Sequence, residues 1–167
     1  MRSLTNHPIF VLIVFIVMGL TACTSDQLPE LPDPNASVVW TGPTITFTKV
    51  PGSDPMVEAN QDRLTSNVWI TRNNDGGQIY NIQVEGSPNQ DSSPVGTLWA
   101  VGSIDNVDNL DFVDFRAAVG MPRDVVGQNL VAFLVEDNTF LSVRFTQWSQ
   151  GQSDGGGGFA YERSTPQ

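Results

Sequence analysis

Four aspartates, Asp105, Asp108, Asp111 and Asp114, recur at every third position of the run "DNVDNLDFVDF". Calcium takes roughly six to eight oxygen ligands, from carboxylates, amides and carbonyls. This run is therefore the candidate metal site. It does not match the helix–loop–helix calcium motif, whose ligands alternate around a central glycine. Val107, Leu110 and Val113 recur at the same interval, which also suits a loop entering an edge strand with its acids in solvent. "RNNDGG" and "QSDGGGG" offer further oxygens, yet both are adequate as turns.

The aromatic residues are the second candidate set. Trp40, Trp69, Trp99 and Trp148, with Tyr80 and Tyr161, can form a platform on which sugar rings stack. Trp69 and Trp99 lie among apolar neighbours and read as core. Trp40 and Trp148 stand at strand ends, and are the candidate ligand-binding residues. Carboxylate catalysis is the third possibility to weigh. A glycosidase needs two carboxylates roughly 5–10 Å apart across a cleft. The glutamates after residue 23 are Glu30, Glu58, Glu85, Glu136 and Glu162, and no strand-like run carries two acids on one face at that spacing. Arg72, Arg144 and Arg163 sit on or beside strand-like runs. Each can pair with an acid across a sheet, or together they can hold an anion.

Absent residue types exclude more. The single histidine, His7, and the single cysteine, Cys23, both precede residue 38. Residues 38–167 thus contain no Ser-His-Asp or Cys-His nucleophile, no zinc site of histidine or thiolate and no disulfide. The expected class is a non-enzyme. The chain carries 18 acidic and 8 basic residues, a formal charge of −10. A surface of that sign repels phosphate backbones, so no nucleic-acid partner is expected.

Four glycines, Gly155 to Gly158, precede the last strand-like run. A phosphate-binding loop needs a helix N-terminus behind its glycines and usually a lysine. Neither follows here, so the run reads as a flexible connection between strands.

Alternation of period two dominates the elements that position these residues. Strands are predicted over Thr44–Val50, Asn67–Thr71, Gln78–Val84, Thr97–Gly102, Leu110–Phe115, Asn129–Glu136, Thr139–Trp148 and Gly158–Arg163. "RNNDGG" joins the second and third as a hairpin, and "DN" joins the sixth and seventh. Asp54–Leu64 is a short helix or a loop. The prediction is an all-β fold, an antiparallel β-sandwich of about eight strands with jelly-roll winding as a variant.

The N-terminal segment is different in kind. Pro8–Leu20 is an apolar run of 13 residues, shorter than the roughly 20 a spanning helix needs and suited to the core of a secretory signal. "LTAC", Leu20 to Cys23, is an apolar residue, two small residues and a cysteine. This resembles the lipobox of bacterial lipoprotein signals. The resemblance implies a signal peptide over residues 1–22 and acylation of Cys23. Thr24 in place of an aspartate implies sorting to the outer membrane. Cleavage there removes one basic residue, Arg2, and no acid, so the charge moves from −10 to −11. Such a domain meets a membrane through its lipid alone. Residues 24–37, with Pro29, Pro32 and Pro34, read as a tether that at about 3.1 Å per residue spans roughly 40 Å. Residues 38–167 are the β-sandwich domain.

Four stretches of that domain, "NQDRLTSNVWITRNNDGGQIYNIQVE", "SSPVGTLWAVG", "LVEDNTFLSVRFTQWSQG" and "GGGFAYERSTP", resemble a β-rich module recurrent in secreted bacterial proteins. The resemblance spans Thr44 to Pro166 and implies a secreted β domain, without assigning catalytic or binding residues. The expectation is a cell-envelope lipoprotein carrying a surface interaction or structural module, with an envelope protein or a carbohydrate as partner. The alternative is an extracytoplasmic carbohydrate-binding protein stabilised by calcium.

Overall fold

The computed structural model describes residues 37–150 and 155–167. The signal-like run, Cys23 and the tether as far as Ala36 lie outside the described residues.

Nine strands form two sheets: β1 (Val38–Val39), β2 (Ile45–Lys49), β3 (Asp62–Arg63), β4 (Trp69–Asn73), β5 (Gly76–Asn81), β6 (Thr97–Val101), β7 (Asn129–Leu134), β8 (Thr139–Trp148) and β9 (Phe159–Arg163). The large sheet has the antiparallel order β2-β9-β8-β7-β6, and β1 runs parallel beside the start of β8. The small sheet is β3-β4-β5. The fold is the all-β sandwich that the alternation predicts. The chain changes sheet only twice, after β2 and after β5. Within each sheet it winds mainly as a meander.

Sheet pairing explains which residues face inward. Leu130, Ala132 and Leu134 of β7 join Leu141, Val143 and Phe145 of β8 in the main core. Val68, Ile70 and Ile79 of the small sheet and its approach meet them from the other side. β7 does not alternate between buried and exposed, because its other face is covered too. Val131, Phe133 and Phe140 form a second cluster beneath Ile104, Val107, Leu110 and Phe112. The Phe133 and Phe140 rings stack with centroids 4.5 Å apart.

That cover comes from the acid-rich run. Ile104–Asn109 is two 3₁₀ turns joined across a kink at Asn106, and a 3₁₀ turn has three residues. A repeat of three therefore puts Ile104, Val107 and Leu110 on the sheet and Asp105, Asp108 and Asp111 in water. The strand predicted over Leu110–Phe115 is not formed. Val113 makes an isolated bridge with Trp99, and Phe115 opens a short helix, α1 (Phe115–Val119), whose Phe115 and Val119 enter the main core. The segment from Asp54 is a turn followed by a 3₁₀ turn at Glu58–Asn60.

The strand predicted over Gln78–Val84 starts and ends earlier, as β5. Asn81 stops it. Its Oδ1 accepts from the Trp69 amide at 2.9 Å, and its Nδ2 donates to the carbonyls of Asn67 (2.7 Å) and Val95 (2.9 Å). The Asn81 carbonyl accepts from the amides of Val84 (3.1 Å) and Glu85 (2.8 Å), so the chain turns there and leaves the ladder after Ile82, whose amide still donates to the Trp69 carbonyl at 3.0 Å.

Among the described residues, two carboxylates tie the sheets together. Asp62 of β3 accepts from Arg163 of β9 twice, from Nε at 2.7 Å and Nη2 at 2.8 Å, and from the Tyr161 hydroxyl at 2.6 Å. All three residues are buried. At the β7–β8 tip, Asp137 accepts from Thr65 Oγ1 (2.8 Å) and Asn67 Nδ2 (3.0 Å).

Candidate functional site

Two irregularities in the ladders build the site. In the β4–β5 hairpin, Thr71 pairs with Tyr80 and Asn73 with Gly76. Gly77, Gln78 and Ile79 thus stand against Arg72 alone, a bulge that re-aims the side chain. In β8, Phe145 pairs with Tyr161 but Gln147 pairs with Ala160. One extra residue sits between them, so Trp148, not Gln147, follows Phe145 onto the inner face.

Arg72 is 2% exposed and its hydrogen bonds go to backbone carbonyls. Nε and Nη2 donate to Gly77 at 3.0 and 2.7 Å, and Nη1 donates to Gly158 at 2.7 Å. The guanidinium lies 3.8 Å from the Trp148 ring centroid, within cation–π range. No carboxylate pairs with it among the described residues. Burial accordingly lowers its pKa to about 10. Lys49, wholly buried on β2, donates to the Ser53 carbonyl at 2.8 Å. Its pKa is lowered first by burial and then by the Arg72 charge, against a raising effect of Asp54.

The glycines lie behind this pair. Gly157 has φ +66, and a Cβ there would overlap the Asn73 carbonyl oxygen. Gly158 presses on Pro51, and the Gly156 carbonyl accepts from the Gly52 amide at 2.8 Å. Gly156 to Gly158 are buried. The flexible connection expected of them is, in this half, close backbone packing that glycine alone permits.

On the outer side of Arg72 is a cavity of about 330 Å³, lined among others by Arg72, Arg116, Arg123, Gln90, Trp148 and a single acid, Asp75. Three of the chain's eight basic residues meet there. Arg116, on α1, donates to Gln90 Oε1 at 3.1 Å and has no carboxylate partner among the described residues. Arg123 is exposed and only loosely paired, with Asp124 Oδ1 at 3.8 Å. A second cavity, about 250 Å³, lies on the outer face of the large sheet. There Arg144 stands opposite Glu162, and Arg163, which also lines it, is paired with Asp62.

The predicted site residues are placed as follows. Asp105, Asp108 and Asp111 are exposed. Asp114 turns away to accept from the Ser93 amide at 2.6 Å, while Ser93 Oγ accepts from the Phe115 amide at 2.8 Å. Among the described residues no three acids, histidines or cysteines come together as metal ligands, so the four aspartates are not brought into one site. Trp40, expected at a free strand end, is 7% exposed and packed in the main core. β1 runs alongside β8 and carries it inward. Trp148 does line a cavity, but Arg72 occupies one face of its indole. Trp69, expected as core, is half-buried under Arg63, whose guanidinium carbon is 4.2 Å from the ring centroid. Trp99 is buried in the main core as expected, and no row of open aromatic faces remains among the four tryptophans. Arg163 belongs to the Asp62 tie, and Arg144 to the outer face.

Sequence reading did not find Arg116 and Arg123. They lie on a helix and a 3₁₀ turn far in sequence from Arg72, and no local pattern marks their meeting. The bulge at Trp148 did leave a signal, since Thr146 and Gln147 are two polar residues in succession where alternation calls for one. Comparison with protein-family models, curated proteins and solved structures finds no match to this chain.

Proposed function

We propose that this protein is a cell-envelope lipoprotein, held to the membrane by acyl chains on Cys23, whose β-sandwich is a non-catalytic surface interaction or structural module. The observation that carries the non-catalytic reading is the distribution of carboxylates. Three cavities among the described residues are each lined by one acid only, Glu162, Asp75 or Glu136. Two-carboxylate hydrolysis needs a facing pair. Other acids hold the fold instead: Asp62 ties the sheets, and Glu85 Oε2 accepts from the amides of Asn81 (2.7 Å) and Val95 (2.9 Å). The anchoring reading rests on "LTAC" and the apolar run before it. Several acyl chains at about 0.8 kcal/mol per buried CH₂ give stable attachment. Among the described residues no helix is long and apolar enough to cross a membrane. A carbohydrate partner suits this surface through charge better than through stacking, because Trp40 and Trp99 are buried and Trp69 and Trp148 are covered by arginines.

Cell fractionation with metabolic labelling by a tagged fatty acid tests anchoring. The wild-type chain is expected in the membrane fraction and labelled, and Cys23→Ser is expected unlabelled and released from it. A Cys23→Ser chain that stays with the membrane overturns the proposal.

A further inference from the structure

We propose that the cavity between the β4–β5 hairpin, α1 and the end of β8 binds an organic oxyanion, a small molecule bearing a carboxylate, sulfate or phosphate ester. The inference goes beyond the module reading and stands on the cavity alone, whether or not Cys23 is acylated.

Charge is the first argument. The chain is strongly acidic at −10, yet among the described residues this cavity gathers Arg72, Arg116 and Arg123 against one lining acid, Asp75. Like charges brought together in a partly desolvated cleft repel, and among the described residues no carboxylate pairs with Arg72 or Arg116. An anionic ligand would supply the missing charge. Geometry is the second. Arg72 donates three N–H bonds to the carbonyls of Gly77 and Gly158 and two longer ones, at 3.4 Å, to that of Ser149, and it is fixed against Trp148. It contributes a fixed buried charge at the cavity floor. Arg116 uses one nitrogen on Gln90, and Arg123 is bound only at 3.8 Å. Both keep N–H donors for the forked recognition of an oxyanion that guanidinium performs best. Shape is the third. The volume, about 330 Å³, lies at the small end of ligand pockets, roughly 300–1,000 Å³. Met121, Pro122 and the Trp148 edge line it as well and give an apolar body something to rest on, which a bare inorganic ion would not use.

Titration of the full chain in non-ionic detergent, followed by tryptophan fluorescence and calorimetry, tests this. The probes are glucuronate and glucose 6-phosphate, with glucose as the neutral control and inorganic phosphate as the bare anion. Saturable binding of at least one organic anion is expected, weakened by added salt and accompanied by a raised melting temperature. Arg116→Gln and Arg123→Gln, both outside the core, are each expected to weaken it about tenfold or more with unchanged folding by circular dichroism. The proposal is overturned if neither organic anion saturates below about 10 mM, if glucose binds equally well, or if affinity survives both substitutions. Inorganic phosphate binding as tightly as the organic probes overturns it too, since the apolar wall then plays no part.

Discussion

Asp62 is the residue on which the two sheets depend. Its carboxylate is buried, with Arg163 and Tyr161 as its partners. Removing one partner of a buried ion pair costs about 3–5 kcal/mol, because the other charge stays buried and unpaired. Asp62→Asn is therefore expected to lower stability to urea by that order. The same group sets a pH dependence. Burial, and then the Asp62 charge and hydrogen bond, raise the Tyr161 pKa well above the ordinary 10.0. The folded state holds this proton more tightly than the unfolded chain. The stability it contributes is thus complete below about pH 10 and is lost as pH rises beyond it. Tyr161→Phe should lose less stability than wild type between pH 9 and the onset of alkaline unfolding. Parallel curves for the two proteins would show that Tyr161 does not titrate in this way.

Elements obey their own rules. The segment Ile104–Asn109 turns a repeat of three into a two-faced cover, apolar on the sheet and acidic in solvent. The changes Asp105→Asn, Asp108→Asn and Asp111→Asn are each expected to alter stability within about ±0.5 kcal/mol, as single surface changes do, and the triple change by no more than about 1.5 kcal/mol. Millimolar calcium against EDTA is expected to leave the melting temperature of wild type unchanged. A rise of several degrees that the triple variant abolishes would restore the metal site. Gly157→Ala is the opposite case. Its φ is positive and its Cβ position is filled by the Asn73 backbone, and backbone cannot rotate aside as a side chain can. A loss of more than about 2 kcal/mol in chemical denaturation is expected, and a neutral outcome would mean that the glycine run does not pack on the hairpin.

At the scale of the molecule, both sheets share one core and are tied by Asp62 and Asp137. Circular dichroism and tryptophan fluorescence should therefore report one coincident unfolding transition. Separate transitions would mean that the three-stranded sheet melts by itself. The tryptophans lie on both sheets, at Trp69 and Trp99 among others, so the comparison samples the whole sandwich.

Much of this was legible in the residues taken in order. Period-two alternation marked β2 and β8, and short apolar runs bounded by turn residues marked β4, β6, β7 and β9. Asn74 and Asp75 marked the tight hairpin turn, because these residues tolerate turn geometry. That residues 38–167 hold neither histidine nor cysteine was legible without reference to any fold. Tertiary structure decided the rest. Trp40 became core through the pairing of β1 with β8, a contact between residues about a hundred positions apart. The acidic run became a 3₁₀ cover because only the assembled sheet offers Val131, Phe133 and Phe140 to be covered. The cavity of Arg72, Arg116 and Arg123 exists because two bulges and a helix bring three separate segments to one place. Local patterns record which face of an element is apolar, whereas the meeting of distant side chains depends on register and sheet order.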